Sequence, residues 1–200
     1  MRSEFGHRDG FRLLEADLAK LDWEGAVAVA GESPVIAGNL PYVLTSKVLF
    51  ALVDLREKIN GGVFMVQKEV AERLTASPGG RDYGILAVVL GSVFEVEILR
   101  KVPAAVFWPR PEVESAIVRL VPGPHWPQAE LDRFTGVVKT LFGQRRKKLR
   151  TLLRGQYDLD VRVLDELVAV TGVNVEKRPE QIDPARFRLL AAALSPKDAG

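Results

Sequence analysis

The sequence predicts an α/β unit over residues 1–122 followed by a small all-α unit over residues 123–200. Three observations carry this. Up to residue 122, short apolar runs alternate with amphipathic stretches, the pattern of a sheet covered by helices. Pro122-Gly123-Pro124-His125-Trp126-Pro127 then makes the clearest break in the chain. Beyond it only helical periodicity remains.

The elements follow in order. Residues 35–37 form a short apolar strand. Residues 44–55 suit a helix, with Leu44, Val48, Leu49, Leu52, Val53 and Leu55 on the apolar side. Asn60-Gly61-Gly62 turns the chain into a buried strand at 63–66. Residues 68–74 read as a polar helix stopped by Ser77-Pro78-Gly79-Gly80, and residues 83–93 as a second. In the strand at 94–102, Phe94, Val96 and Ile98 face one way and Glu95, Glu97 and Leu99 the other. Three prolines and two aromatics make residues 103–111 a rigid loop. Residues 115–121 give the last strand. Helices follow at 130–142, 147–153, 161–170 and 184–194, the last with Asp183 as N-cap and Pro184 at its first position. The extreme C-terminus reads as disordered. The opening, residues 1–10, is neither an apolar strand nor a Gly-rich turn, so the α/β unit is expected to begin mid-sheet.

Composition narrows the chemistry. The 200 residues are 47% apolar and 27% charged, an ordinary globular balance. No apolar run has the length of a membrane span, and no signal segment opens the chain. The absence of Cys excludes disulfides and thiolate sites and fits a cytoplasmic protein. His7 and His125 are the only imidazoles and lie far apart, so no metal site is expected.

Charge is uneven. Residues 123–200 carry 14 Lys+Arg against 10 Asp+Glu, and residues 1–122 carry 14 against 16. The densest run is Arg145-Arg146-Lys147-Lys148-Leu149-Arg150, with Arg154 close behind and no acid between. It reads either as a solvated helix face or as a polyanion-binding surface; six cations in ten residues favour the second.

The apolar strand ends abruptly in Asn39-Leu40-Pro41-Tyr42. One reading is a buried strand closing in a Pro turn. The other is chemical. The Asn39 side-chain carbonyl and the Leu40 backbone carbonyl can accept the two N–H bonds of an exocyclic amine. The Tyr42 ring can stack on the heterocycle, and Pro41 presets the acceptors. Adenine extruded from a nucleic acid fits that description.

These residues and four further segments resemble one family, the ribosomal RNA adenine N6-dimethyltransferases. The segments are Gln67-Lys68-Glu69-Val70-Ala71-Glu72-Arg73-Leu74, the loop Val106-Phe107-Trp108-Pro109-Arg110-Pro111-Glu112-Val113-Glu114-Ser115-Ala116, the stretch Leu141-Phe142-Gly143-Gln144-Arg145-Arg146-Lys147-Lys148-Leu149-Arg150, and Arg178-Pro179-Glu180. Five motifs in order make a specific signal. The resemblance spans residues 13–190 and implies a partial Rossmann-like methyltransferase sheet followed by a small all-α C-terminal domain. Residues 1–122 would be the C-terminal part of the catalytic domain and residues 123–200 a helical rRNA-binding domain.

The resemblance further implies S-adenosyl-L-methionine as cofactor, and small-subunit rRNA in an immature small ribosomal subunit as partner, with no membrane or metal. Its catalytic set is Asn39, Leu40, Pro41, Tyr42 and Phe107, with Phe107 packing on the base opposite Tyr42. Its cofactor set is Asp17, in Glu15-Ala16-Asp17, and Asn39. Arg145, Arg146, Lys147, Lys148 and Arg150 would bind RNA. Ala16 stands where the family usually has Gly. The family's Gly-rich turn and acidic ribose ligand, upstream of the Asp17 segment, have no counterpart in the sequence. The chain is therefore expected to be a truncated form.

A catalytically inactive rRNA-binding fragment is the main alternative; a DNA adenine methyltransferase or a macrolide-resistance rRNA methylase shares the adenine motif. Gln67 and Glu69 read as helix-capping and solvated residues, Trp23 and Trp126 as packing residues. Phe107 has the alternative of plugging the core.

Overall fold

The protein is described by a computed structural model over residues 9–194. His7 and the last residues of the chain lie outside them, as does most of the opening segment. Helix α1 (Trp23–Ala30) precedes strand β1 (Ile36–Asn39), a 3-10 turn (Tyr42–Leu44) and helix α2 (Thr45–Leu55). Strand β2 (Gly62–Gln67), helices α3 (Lys68–Leu74) and α4 (Ile85–Val93), strand β3 (Phe94–Val102), a 3-10 turn (Ala104–Val106) and strand β4 (Ser115–Pro122) complete the α/β part. Helices α5 (Gln128–Phe142), α6 (Leu149–Tyr157), α7 (Val161–Thr171) and α8 (Pro184–Ala193) follow.

The sheet has four strands in the order β1-β2-β4-β3 among the described residues. β1 runs parallel to β2, while β4 lies antiparallel to both β2 and β3. The β3–β4 ribbon thus folds back so that its loop returns beside the end of β1. Gly61 makes the turn into β2 with φ +115°, where a Cβ would lie 2.5 Å from the Leu120 carbonyl oxygen. An L side chain would be both strained and obstructed there.

Most predicted elements are present within a few residues. In α2 the buried Val48, Leu49, Leu52, Val53 and Leu55 form the expected stripe. β3 keeps its alternation to Ile98 and then slips: Ile98 faces Val118 but Arg100 faces Ile117, leaving Leu99 as the extra residue of a bulge. Helix α4 starts at Ile85, not at residue 83, because Gly84 is fully extended and Tyr83 turns into the core. Helix α1 has no counterpart in the sequence reading. Its Ala-Val run lacks helical periodicity, and the Asp22 carboxylate, which accepts from the Gly25 N–H at 3.0 Å, starts it. The Asp183 cap is present on α8, accepting from Arg186 N–H at 2.9 Å. Gln67 occupies the N-cap position of α3 but its side chain makes no capping bond, and Glu69 pairs with Arg73 one turn on.

One hydrophobic cluster runs from the sheet into the helices. Trp126 sits at its junction. Its indole N–H donates to the Ser92 carbonyl at 3.1 Å, its ring contacts Phe134 at 5.0 Å, and the Arg188 guanidinium lies 4.0 Å above it. Buried Arg56 donates to the carbonyls of Trp126 (2.6 Å) and Val53 (3.0 Å) and to Gln128 Oε1 (3.0 Å). The proline-rich break at 122–127 is therefore held to α2 rather than hanging free.

Candidate active site

The end of β1 is built by the β2 ladder. Asn39 lies opposite Met65, and the Leu40 N–H donates to the Met65 carbonyl at 3.2 Å. Pro41 has no N–H to continue the ladder, so the chain leaves the sheet there. The Pro41 carbonyl accepts from Leu44 N–H (2.9 Å) and from the Thr45 hydroxyl (3.3 Å), which fixes the turn into α2. The Leu40 carbonyl takes no part in these bonds, and the Asn39 side chain is exposed. Both sequence-predicted acceptors are therefore available.

A second segment meets this turn. The loop between β3 and β4 carries Phe107 in extended conformation, its N–H donating to the Ala104 carbonyl. Asn39, Leu40, Pro41, Tyr42 and Phe107 line one cleft of about 390 Å³, together with Met65, Trp108, Pro109 and Pro111. Residues 65 positions apart in sequence thus share one concave surface. Phe107 faces this cleft and is half-buried; it does not plug the core.

Three residues that sequence reasoning gave no role stand behind the cleft. Ser115, fully buried at the start of β4, lies with its Oγ 3.1 Å from the Tyr42 hydroxyl. Lys68 bonds to Glu114 twice over: its ammonium meets the carboxylate at 2.7 Å, and its N–H donates to the Glu114 carbonyl at 2.9 Å. The hydrogen bond and charge of Lys68 hold the Glu114 carboxyl below its ordinary range, and Lys68 is raised in turn. Ser115 closes the Phe-x-Pro-x-Pro-x-Val-x-Ser pattern, so its signal was in the sequence, but its partner was not.

The sequence profile described as ribosomal RNA adenine dimethylase matches residues 13–187. The chain belongs to the ribosomal RNA adenine dimethylase family. It is 42% identical to a ribosomal RNA small subunit methyltransferase A of Anaeromyxobacter sp. (strain K), over 97% of this chain and 71% of that protein. The corresponding protein of Chlorobium phaeobacteroides (strain BS1) is 41% identical over 92% of this chain and 67% of its own length. In fold, the chain is similar to a dimethyladenosine transferase from Plasmodium falciparum (TM-score 0.75, 23% identity, 94% of this chain and 74% of that one). It is also similar to the 23S rRNA methyltransferase ErmE (TM-score 0.67, 24% identity, 98% and 76%). Family membership places the chain with the rRNA adenine dimethyltransferases, enzymes of the Rossmann-like methyltransferase class.

Asp17 does not line the Asn39 cleft. It borders a larger groove of about 1060 Å³ between residues 10–22 and α1, walled by Leu13, Leu14, Ala16 and Val29. Its Oδ1 accepts from the Ala19 N–H at 2.8 Å. The groove is mostly apolar with an exposed carboxylate on its wall, an acceptor that suits a purine and its amine.

The basic segment departs from the helix expected at 147–153. Arg145 to Lys148 lie in the turn between α5 and α6, and α6 starts only at Leu149. The N–H groups of Leu149 and Arg150 donate to the carbonyls of Lys177 and Val175, both at 2.9 Å, so the passing chain caps the helix there. Arg145 pairs with Glu180 at 2.9 Å. Lys148 (2.9 Å) and Arg150 (2.7 Å) share Glu176, whose carboxyl is held below its ordinary range by hydrogen bonds from both. Arg146 and Lys147 are exposed and have no ionic partner among the described residues. Among those residues, no group of three His, Cys, Asp or Glu is placed to hold a metal, and no helix is long and apolar enough to cross a membrane.

Proposed function

We propose that this chain acts on adenosines of small-subunit rRNA, dimethylating N6 with S-adenosyl-L-methionine as donor. Residues 1–122 would serve as the catalytic unit and residues 123–200 as the unit that docks on the immature subunit. What carries the reading is the convergence of Asn39, Leu40, Tyr42 and Phe107, from two distant segments, on one cleft.

The chemistry asked of these residues is modest. An adenine amine is a weak nucleophile because its lone pair is delocalised into the ring. The Asn39 side-chain carbonyl and the Leu40 carbonyl accept its two hydrogens and favour a pyramidal nitrogen, which frees the lone pair. Tyr42 and Phe107 hold the extruded base by stacking, worth about 1–3 kcal/mol per base. Pro41 and the Tyr42–Ser115 bond keep the acceptors and ring in place, so little reorganisation is needed. Asp17 and the apolar wall beside it would hold the adenine end of the cofactor, with Asn39 at its reactive end. When bound, the cofactor supplies an electrophilic sulfonium methyl.

The test is a binding comparison. RNA containing one extruded adenosine is compared with the same RNA carrying purine riboside, which lacks the amine. The native chain is expected to prefer adenosine, and Asn39→Ala to lose the preference. Equal preference in both proteins overturns the reading. A second reading, RNA docking without methyl transfer, draws support from the Asp17 groove and the Asn39 cleft sharing no lining residue. Calorimetric titration with S-adenosyl-L-methionine separates the two.

A further inference from the structure

Trp108 is 97% exposed, the most exposed large apolar side chain among the described residues. A tryptophan left in water forgoes one of the largest burial gains any side chain offers. Nothing in the fold accounts for it: Trp23 and Trp126 pack on the core, but Trp108 makes no hydrogen bond or ring contact among the described residues. Nor is it on a random surface loop. It lines the same cleft as Asn39 and Tyr42, between Phe107 and Pro109, and Pro109 and Pro111 stiffen the loop that follows. Arg110, two residues on, is exposed and without an ionic partner among those residues, whereas nearby Glu114 is neutralised by Lys68. An unpartnered ring and, two residues on in the same rigid loop but outside the cleft lining, an unpartnered guanidinium can offer one strand a base face and a phosphate contact.

We propose that Trp108 is a stacking platform for a nucleotide flanking the target adenosine, with Arg110 meeting that nucleotide's phosphate. The inference rests on the adenine reading of the cleft and adds to it a contact outside the target base. It makes Trp108 a positioning residue: an extruded base leaves its neighbours unstacked on one face, and a rim indole replaces the lost partner. Stacking is tolerant of base identity, so this contact would fix the register of the strand rather than its sequence.

The test uses single-stranded RNA with one adenosine flanked by guanosines, and the same RNA with abasic sites at both flanks. Trp108→Ala should weaken binding to the first about five- to 150-fold and leave binding to the second at the native level. Trp108→Phe should lose less. Because the side chain buries nothing, the melting temperature should not move. The native chain's long-wavelength tryptophan emission should be quenched by the first RNA, and Trp108→Phe should abolish that quenching. Unchanged binding by Trp108→Ala, an equal loss on both RNAs, or Trp108-dependent self-association in sedimentation would each overturn the proposal. Failure of the adenine reading shows differently: the native chain would no longer distinguish adenosine from purine riboside, while dependence on flanking bases through Trp108 would persist.

Discussion

The Tyr42 hydroxyl lies 3.1 Å from the Oγ of Ser115, joining the turn after β1 to the first residue of β4 across 73 positions of sequence. Ser115 is completely buried and pairs in the sheet with both Gln67 and Val102, so it is fixed from two sides. Tyr42 is partly exposed and would otherwise rotate about its side-chain torsions. The bond ties the Tyr42 ring to a strand that is paired on both sides.

Breaking that tie should loosen the ring more than it destabilises the fold. Ser115→Ala and Tyr42→Phe are each expected to cost about 0.5–1.5 kcal/mol in urea unfolding, the usual net worth of a hydrogen bond. The double variant should cost less than the sum, because both changes remove one interaction. Both should weaken adenosine-containing RNA. Full additivity in the double-mutant cycle would show that the two groups are not coupled.

The residues of the cleft were legible in sequence because their chemistry is local. Asn39, Pro41 and Tyr42 are contiguous, and the proline-rich setting of Phe107 announces a rigid loop. What brings the two loops together was not local. It depends on β4 inserting antiparallel between β2 and β3, and no residue in the loop encodes that order. The surroundings of the basic run were hidden for a related reason: composition marks six cations but not the acids facing them, and Glu176 and Glu180 lie 26 or more positions away. Helix α1 was missed because an Ala-Val run has no periodicity to read, while its Asp22 cap is a single residue.

Arg56 should be needed for attachment of the helices. It is 5% exposed, and its guanidinium serves three carbonyl-type oxygens, two of them at the 122–128 junction. Arg56→Met removes the donors and leaves those acceptors unmet, an expected loss of about 2–4 kcal/mol. Limited proteolysis should then cut within residues 122–127 faster than in the native chain. A variant with native melting temperature and native resistance would show that the apolar junction alone holds the helices.

Tyr83 offers a pH test of the other junction contact. Its hydroxyl donates to the Ile182 carbonyl at 2.8 Å, and burial together with the nearby Asp183 carboxylate pushes its pKa well above the ordinary tyrosine value. The folded pKa is raised above the unfolded one. Its contribution is thus fully present below the unfolded tyrosine value and is lost as pH rises from there through the folded one. Native protein should therefore lose stability above about pH 10, and Tyr83→Phe should lose less there. The variant should also be less stable at neutral pH by about 1–2 kcal/mol. Parallel pH profiles for the two proteins would exclude Tyr83 as the titrating group.

RNA affinity should depend on Arg146 and Lys147 more than on their neighbours. Arg145, Lys148 and Arg150 already face carboxylates, so a phosphate must displace Glu180 or Glu176 to reach them. Arg146→Glu and Lys147→Glu should each weaken rRNA binding and reduce the salt slope by about 0.7–0.9 per lost phosphate contact. Arg145→Glu should do less to the slope. Glu176→Gln should act in the opposite sense, releasing Lys148 and Arg150, tightening binding and steepening the slope. Glu176 also sets a pH window. Its folded pKa is lowered by the two cations, so the pairing contributes above the unfolded carboxylate value and is lost as pH falls through the folded one. The carboxyl carbon of Glu176, followed by NMR, should titrate below an unperturbed glutamate, and adding RNA should move that midpoint upward as phosphates draw the cations away. A midpoint unmoved by RNA, with equal salt slopes for the three charge reversals and a native slope for Glu176→Gln, would show that the ion pairs do not gate this surface.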